Sequence, residues 1–417
     1  MRIKDGLKKL IAYLVIFCVL FCYINTNIAK ETNGINVPRI FLLDLEMLTK
    51  VKQRILEGDK KLLPAFNKIS DEANISLKAG SFSVMTKPFT PPSGDKHDYM
   101  SLSPYWWSNP ETEDGLPYVR HDGRTNPKRE QYDKRPLREL DLNVSTLALA
   151  YFLTDNENYA EHAAKLVRNW FLNKATRMNP HLKYAQHIPG ISDGRGVGII
   201  DTRSFFRIAD GVGLISESNY WTEQDQKELE EWFAQYLKWL LHSKNGQKEA
   251  ARDNNHGTWY DVQVAYFSLY TGKEEKAKEV LRKFKMKRIA DQIEPDGRQP
   301  RELERTRAFS YSTFNLEAMF AAAKLGDIVG VDIWDFETED GRSIQKALEF
   351  LIPYAIQKKE WQYQQITSWQ GCYFDMSVLL RMASIYFEEP KYEQLITVLP
   401  DLDIITERVN LLYPKIW

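Results

Sequence analysis

The sequence predicts an all-α fold, an (α/α) toroid or incomplete barrel of helical hairpins with long cleft-forming loops. Three observations carry that expectation. Apolar residues recur at three- and four-residue spacing along most of the chain. Many segments marked in this way are separated by only a few residues, which makes antiparallel neighbours. Alternating strand patterns are scarce. A superhelical solenoid is the alternative, but no fixed sequence period of about 30–45 residues stands out.

The elements follow in chain order. Residues 1–29 read as a signal peptide, with a basic start (Lys4, Lys8, Lys9) and an apolar run from Leu10 to Ile24. That run is short for a membrane span, and Ala29 offers a small residue before a cut. An uncleaved anchor is the alternative. Phe17 and Phe21 precede Cys18 and Cys22 where lipid attachment prefers a small residue. Residues 30–417 then form a single domain, with no stable membrane span after processing. Helical periodicity marks Leu137–Leu153, Tyr159–Leu172, Thr222–Leu241, Thr258–Tyr270, Glu274–Met286, Thr313–Leu325, Ser343–Ile356 and Phe374–Phe387. Thr222 with Asp225 signals one start, and Thr154-Asp155 another. Two irregular stretches interrupt the helices, about Ser81–Arg135 and Asn173–Gly198. Loops of that length are usually functional.

Composition narrows the function classes. The chain has 417 residues, 43% hydrophobic and 27% charged, as a globular enzyme would. The 11 Trp, 21 Tyr and 20 Phe are enough both to fill a helical core and to line a sugar cleft. Past residue 29 one cysteine remains, Cys372, so no internal disulfide is expected. Removing Arg2, Lys4, Asp5, Lys8 and Lys9 takes the net charge from −1 to −4. Nucleic-acid binding is not expected, and an acidic polymer would need a local basic cleft.

Two polar islands carry the chemistry. The first is Asp253-Asn254-Asn255-His256-Gly257-Thr258-Trp259-Tyr260. The second runs from Arg301 through Glu302, Glu304, Arg305 and Arg307 to Tyr311. Each heads an apolar helical stretch. Together they offer an amide, an imidazole, guanidiniums and a phenol. That set suits β-elimination in a uronic-acid polysaccharide, where a carboxylate is neutralised, a C5 proton is removed and the leaving oxygen is protonated. A nearby arginine would lower the tyrosine pKa by favouring the phenolate. Plainer readings exist for each group: an asparagine helix cap, a solvated loop with Glu302 and Glu304 as salt-bridge partners, and a core tyrosine.

The chain resembles the alginate-lyase superfamily, especially polysaccharide lyase families five and thirty-eight. The matching residues are Asn254-Asn255-His256 and Glu302-Leu303-Glu304-Arg305-Thr306-Arg307-Ala308-Phe309-Ser310-Tyr311. His97-Asp98-Tyr99, Tyr105-Trp106-Trp107, Gly115-Leu116-Pro117-Tyr118 and Gly198-Ile199-Ile200-Asp201-Thr202-Arg203 match as well. The resemblance implies an (α/α) toroid, with Asn255 and His256 at the carboxylate and His256 also a candidate base. It implies Tyr311 as the acid, and as the base too in syn elimination. Arg305 supports Tyr311. Family five places its arginine seven residues before the tyrosine. Here that position is Glu304, so Arg305 takes the role only if the loop is one residue shorter.

Further substrate-binding candidates are Asn254, His97, Tyr105, Trp106, Asn143, His187, Arg203, Arg307, Trp369 and Gln370. Structural roles compete at Asn143 (a buried amide), Arg203 (a pair with Asp201 or Asp210) and Trp369 (core packing). No cofactor or metal is expected, since histidine pairs at zinc spacing, calcium loops and phosphate-binding glycine loops are absent. Two rival readings stand beside the lyase. A glycoside hydrolase would recruit two carboxylates from Asp201, Asp253, Glu302 and Glu304. A non-catalytic glycan-binding protein would use the aromatics as platforms.

Overall fold

The computed structural model describes residues 39–415. The expected signal peptide lies outside the described residues. The eight expected helices are present. They run Lys134–Thr154, Glu157–Val167, Glu223–His242, Asn255–Tyr270, Glu274–Phe284, Ala308–Val329, Ile344–Ala355 and Trp369–Tyr386. Periodicity had not marked Leu45–Leu56, Leu63–Ser76 or Phe205–Leu214. Helix Phe205–Leu214 is ten residues long, holds two glycines and is buried over nearly its whole length.

Five helices line the inside of an (α/α) toroid: Lys134–Thr154, Phe205–Leu214, Asn255–Tyr270, Ala308–Val329 and Trp369–Tyr386. The first two pack together, as do the last three in series. Phe206 bridges the two groups by stacking on Trp259 and Tyr266. Helix Asn255–Tyr270 is buried at every residue from Gly257 to Tyr270, as a helix enclosed on all sides must be. Helices Glu157–Val167, Glu223–His242 and Glu274–Phe284 are amphipathic and cover the outside. Thr222 and Asp225 form the expected capping box. The other start differs. Thr154 ends a helix, Asp155 takes the left-handed conformation, and Asn156 caps the next helix.

The two irregular stretches meet each other. Strand β1 (Met100–Leu102) comes from the first, as do β2 (Trp106–Trp107) and β3 (Val119–Arg120). Strand β4 (Tyr184–His187) comes from the second. β1 pairs in parallel with β4, and β2 in antiparallel with β3. The first stretch is clipped to the toroid by a fully buried ion pair, Lys87 Nζ to Asp133 at 2.9 Å. Lys87 also donates to the carbonyls of Val84 and Lys96. Asp133 accepts from the Met100 amide at 2.8 Å. Burial pushes the Asp133 carboxyl up to about 7 and the Lys87 amine down, and their mutual attraction opposes both shifts. Among the described residues no helix is long and apolar enough to cross a membrane.

Candidate active site

The N-terminal turns of the adjacent helices Asn255–Tyr270 and Ala308–Val329 bring the two polar islands together. Asn254 caps the first helix, its side chain accepting from the His256 amide at 3.3 Å. Asn255 follows, wholly buried. Its backbone N–H and its Nδ2 meet the two carboxyl oxygens of Glu302 at 2.6 and 2.7 Å. Gly257 is required here, because a Cβ would lie 2.0 Å from the Arg252 carbonyl oxygen and 2.4 Å from the buried Arg288 guanidinium. His256 places Nδ1 at 2.7 Å from Glu249, another buried carboxylate. This contact turns Nε2 away from Glu249 and fixes the ring.

Tyr311 lies in the first turn of Ala308–Val329. Its hydroxyl is 2.6 Å from the Tyr105 hydroxyl and accepts from Arg305 Nη2 at 3.0 Å. The Arg305 guanidinium also lies 4.0 Å from the Tyr311 ring centre. Arg305 is held by Asp122 at 3.0 Å, and Asp122 also accepts from Arg120 at 2.6 Å and Thr306 at 3.0 Å. Burial raises the Asp122 pKa, but the bonds from Arg305, Thr306 and Arg120 prevail and hold it at about 2. Gly123 has a positive φ, and a Cβ there would lie 2.3 Å from the Thr306 hydroxyl, so the Asp122-Gly123 turn presses directly on the second island. Gln365 accepts from the Phe309 and Ser310 amides and secures the start of the Tyr311 helix.

One expectation is corrected. Arg305 does favour the phenolate, but burial and the Tyr105 neighbour outweigh it and raise the Tyr311 pKa well above its ordinary value. The resting side chain is a neutral phenol with a proton to give.

The other candidates divide. Tyr105 reaches Tyr311 directly. Arg307 packs 5.6 Å from the Tyr105 ring centre and donates to the Gly123 carbonyl. Trp106 is partly exposed beside Tyr105, on β2. His187 ends β4 and has Nδ1 3.0 Å from the Ser192 carbonyl, with burial lowering its pKa. Its neighbour Gln186 and Ser103 both bind Arg195, which burial, Arg120 and Arg252 lower to about 10. Arg195 is therefore still charged at neutral pH. Arg203 lies between Trp259 and Phe314, 5.4 and 4.8 Å from their ring centres, one turn inside the two catalytic-end turns. It does not pair with Asp201 or Asp210. Lys134 holds Asp201, and the Phe41, Leu42 and Leu43 amides with Tyr266 hold Asp210.

Four candidates bind elsewhere. His97 Nδ1 meets the Arg177 carbonyl at 2.6 Å. Asn143 donates to the Glu139 carbonyl one turn earlier in its helix. Trp369 packs on Phe309 and Tyr373. Gln370 donates to the Asp401 carbonyl. Sequence reasoning missed Asp122, Glu249 and Gln365 as site-supporting groups, and the plainer alternative that set Glu302 in a solvated loop fails, since Glu302 is buried. The arginines of that loop pair with other groups: Arg301 with Asp253 and Asp291, and Arg305 with Asp122. Among the described residues no cluster of three or more metal-ligating side chains occurs.

A neutral phenol, an oriented imidazole, a buried amide and flanking guanidiniums thus gather at one end of the two helices. A family model described as alginate lyase matches residues 83–361. An alginate lyase from Bacteroides ovatus is 40% identical, with a TM-score of 0.87 over 90% of this chain and 98% of that one. A variant of alginate lyase A1-III complexed with tetrasaccharide is 14% identical, with a TM-score of 0.57 over 92% and 97% of the two chains, a likeness of fold alone. Comparison with curated proteins gives no match. The chain belongs to the alginate lyase family and is a polysaccharide lyase.

Proposed function

We propose that the protein cleaves alginate by β-elimination, leaving a C4–C5 double bond on the new non-reducing end. The observation that carries this reading is the Tyr311 hydroxyl, set between Arg305 at 3.0 Å and Tyr105 at 2.6 Å. Asn255 and His256 neutralise the uronate carboxylate, which makes the C5 proton removable. Where that proton lies on the His256 face, Nε2 accepts it while Tyr311 protonates the departing oxygen. Where it lies on the Tyr311 face, Tyr311 serves both steps once its own proton has passed to solvent, with Arg305 offsetting the charge of the phenolate that then takes the C5 proton and returns it to the leaving oxygen. Mannuronate and guluronate differ at C5, so the two faces correspond to the two block types. Arg120, Arg195, Arg307 and Arg203 supply the local positive charge that a polyanion needs against an acidic chain. An exported, secreted or periplasmic location suits so large a substrate.

The carboxylate geometry weighs against a hydrolase. Both Glu302 oxygens are engaged by Asn255, Asp253 is paired with Arg301, and Asp201 is buried against Tyr99, Ser101 and Lys134. Each of these three is committed to another partner, whereas hydrolysis between two carboxyls needs a pair free to flank the bond. The test is ultraviolet absorbance of unsaturated uronate during digestion of mannuronate-rich and guluronate-rich alginate, glucuronan, hyaluronan and chondroitin. Absorbance rising on alginate is the expected result. New reducing ends without absorbance would make the enzyme a hydrolase.

A further inference from the structure

The outer atom of the Asn255 amide has no partner. Asn255 is 0% exposed, and its Oδ1 is buried without a hydrogen bond, while the other end of the amide meets Glu302. A buried polar atom left unsatisfied costs about 1–3 kcal/mol, so a ligand is the natural partner for this one. Under the reading above that ligand is the uronate carboxylate, an acceptor. An acceptor needs Nδ2 facing it, not Oδ1. Rotating the amide half a turn exchanges the two atoms without moving the side chain. The rotated amide then presents Oδ1 to Glu302, and Glu302 must donate.

We propose that Glu302 is a protonated carboxylic acid whose O–H binds Asn255 Oδ1 and so aims Nδ2 at the substrate carboxylate. One Glu302 oxygen keeps the Asn255 backbone N–H. The other carries the proton. Glu302 is a positioning residue, since it acts through Asn255, and the inference rests on Asn255 meeting the carboxylate. Because Asn255 is 0% exposed, contact with it requires the carboxylate to displace whatever covers it.

The surroundings support a neutral acid. Glu302 is 1% exposed. Burial raises its pKa, against the two bonds from Asn255 and the positive charge of Arg305 just beyond its own turn. When Glu302 ionises, the amide turns back and sets Oδ1 against the carboxylate. Activity that depends on the acid form is therefore present at low pH and lost as pH rises through the raised pKa.

The test is Glu302→Gln, which copies the protonated acid permanently: its Oε1 accepts from the Asn255 amide and its Nε2 donates to Asn255 Oδ1. The expected loss in kcat/KM is less than about tenfold, smaller than a lost charged hydrogen bond, and the alkaline limb of the pH profile moves upward. Glu302→Leu, lacking any donor, is expected to lose on the order of 100-fold through misplacement of Asn255. A folded Glu302→Gln enzyme as impaired as Glu302→Leu, or one with the wild-type alkaline limb, overturns the proposal. A second readout is independent of turnover. The infrared difference between wild type and Glu302→Gln at neutral pH should contain a protonated-carboxyl band, and a carboxylate band in its place overturns the proposal. Wild type that forms no unsaturated product would instead overturn the alginate reading and leave this infrared result standing.

Discussion

At the residue scale, the site depends on carboxylates that never touch substrate. Asp122 has no role in the acid–base steps, yet it fixes the guanidinium that binds the Tyr311 hydroxyl. A hydrogen bond to a charged group contributes about 1.5–3 kcal/mol. Asp122→Ala is therefore expected to lower kcat by roughly 10- to 100-fold, with a smaller change in KM, in steady-state kinetics on alginate. A kcat within twofold of wild type would show that Arg305 is held without it. Tyr311, His256, Asn255 and Arg305 were legible in the sequence because unusual polar types cluster there. Asp122 was not. It lies 183 residues from Arg305 along the chain, and nothing local distinguishes a His-Asp-Gly turn that packs on the site from one in solvent. Glu302 was visible as part of the second island, but its burial was not, because sequence shows charge and not burial.

At the element scale, periodicity located eight helices, from the amphipathic ones on the outside to the enclosed Asn255–Tyr270. It placed the starts of Asn255–Tyr270 and Ala308–Val329 a turn late, because polar residues of the candidate site occupy their first turns. It passed over Phe205–Leu214, a ten-residue helix that holds two glycines. The irregular stretches hold four short strands, and their pairing joins residues far apart in sequence. These strands and the turns beside them carry Tyr105, Asp122 and Gln186 to the toroid, and the Lys87–Asp133 pair anchors them. Lys87→Met leaves a buried carboxylate without its cation. The expected loss of stability is about 3–5 kcal/mol, read as a lower urea midpoint. Adding Asp133→Asn should recover part of it. A single variant within about 1 kcal/mol of wild type, the range of an exposed pair, would show the clip to be dispensable.

At the scale of the whole molecule, the toroid aligns the first turns of its inner helices, so that two islands about fifty residues apart in sequence face one space. The net charge of −1 says nothing of the guanidiniums gathered near that space, because the sum hides their placement. The central claim is that Tyr311 carries the proton to the departing oxygen. It is tested most directly by Tyr311→Phe, with unsaturated product measured by ultraviolet absorbance on alginate and oligosaccharide affinity measured by calorimetry. The account predicts a fall in kcat of about 100- to 10,000-fold, the usual contribution of a positioned acid or base, with affinity nearly unchanged. Wild-type turnover in a folded Tyr311→Phe enzyme would contradict it.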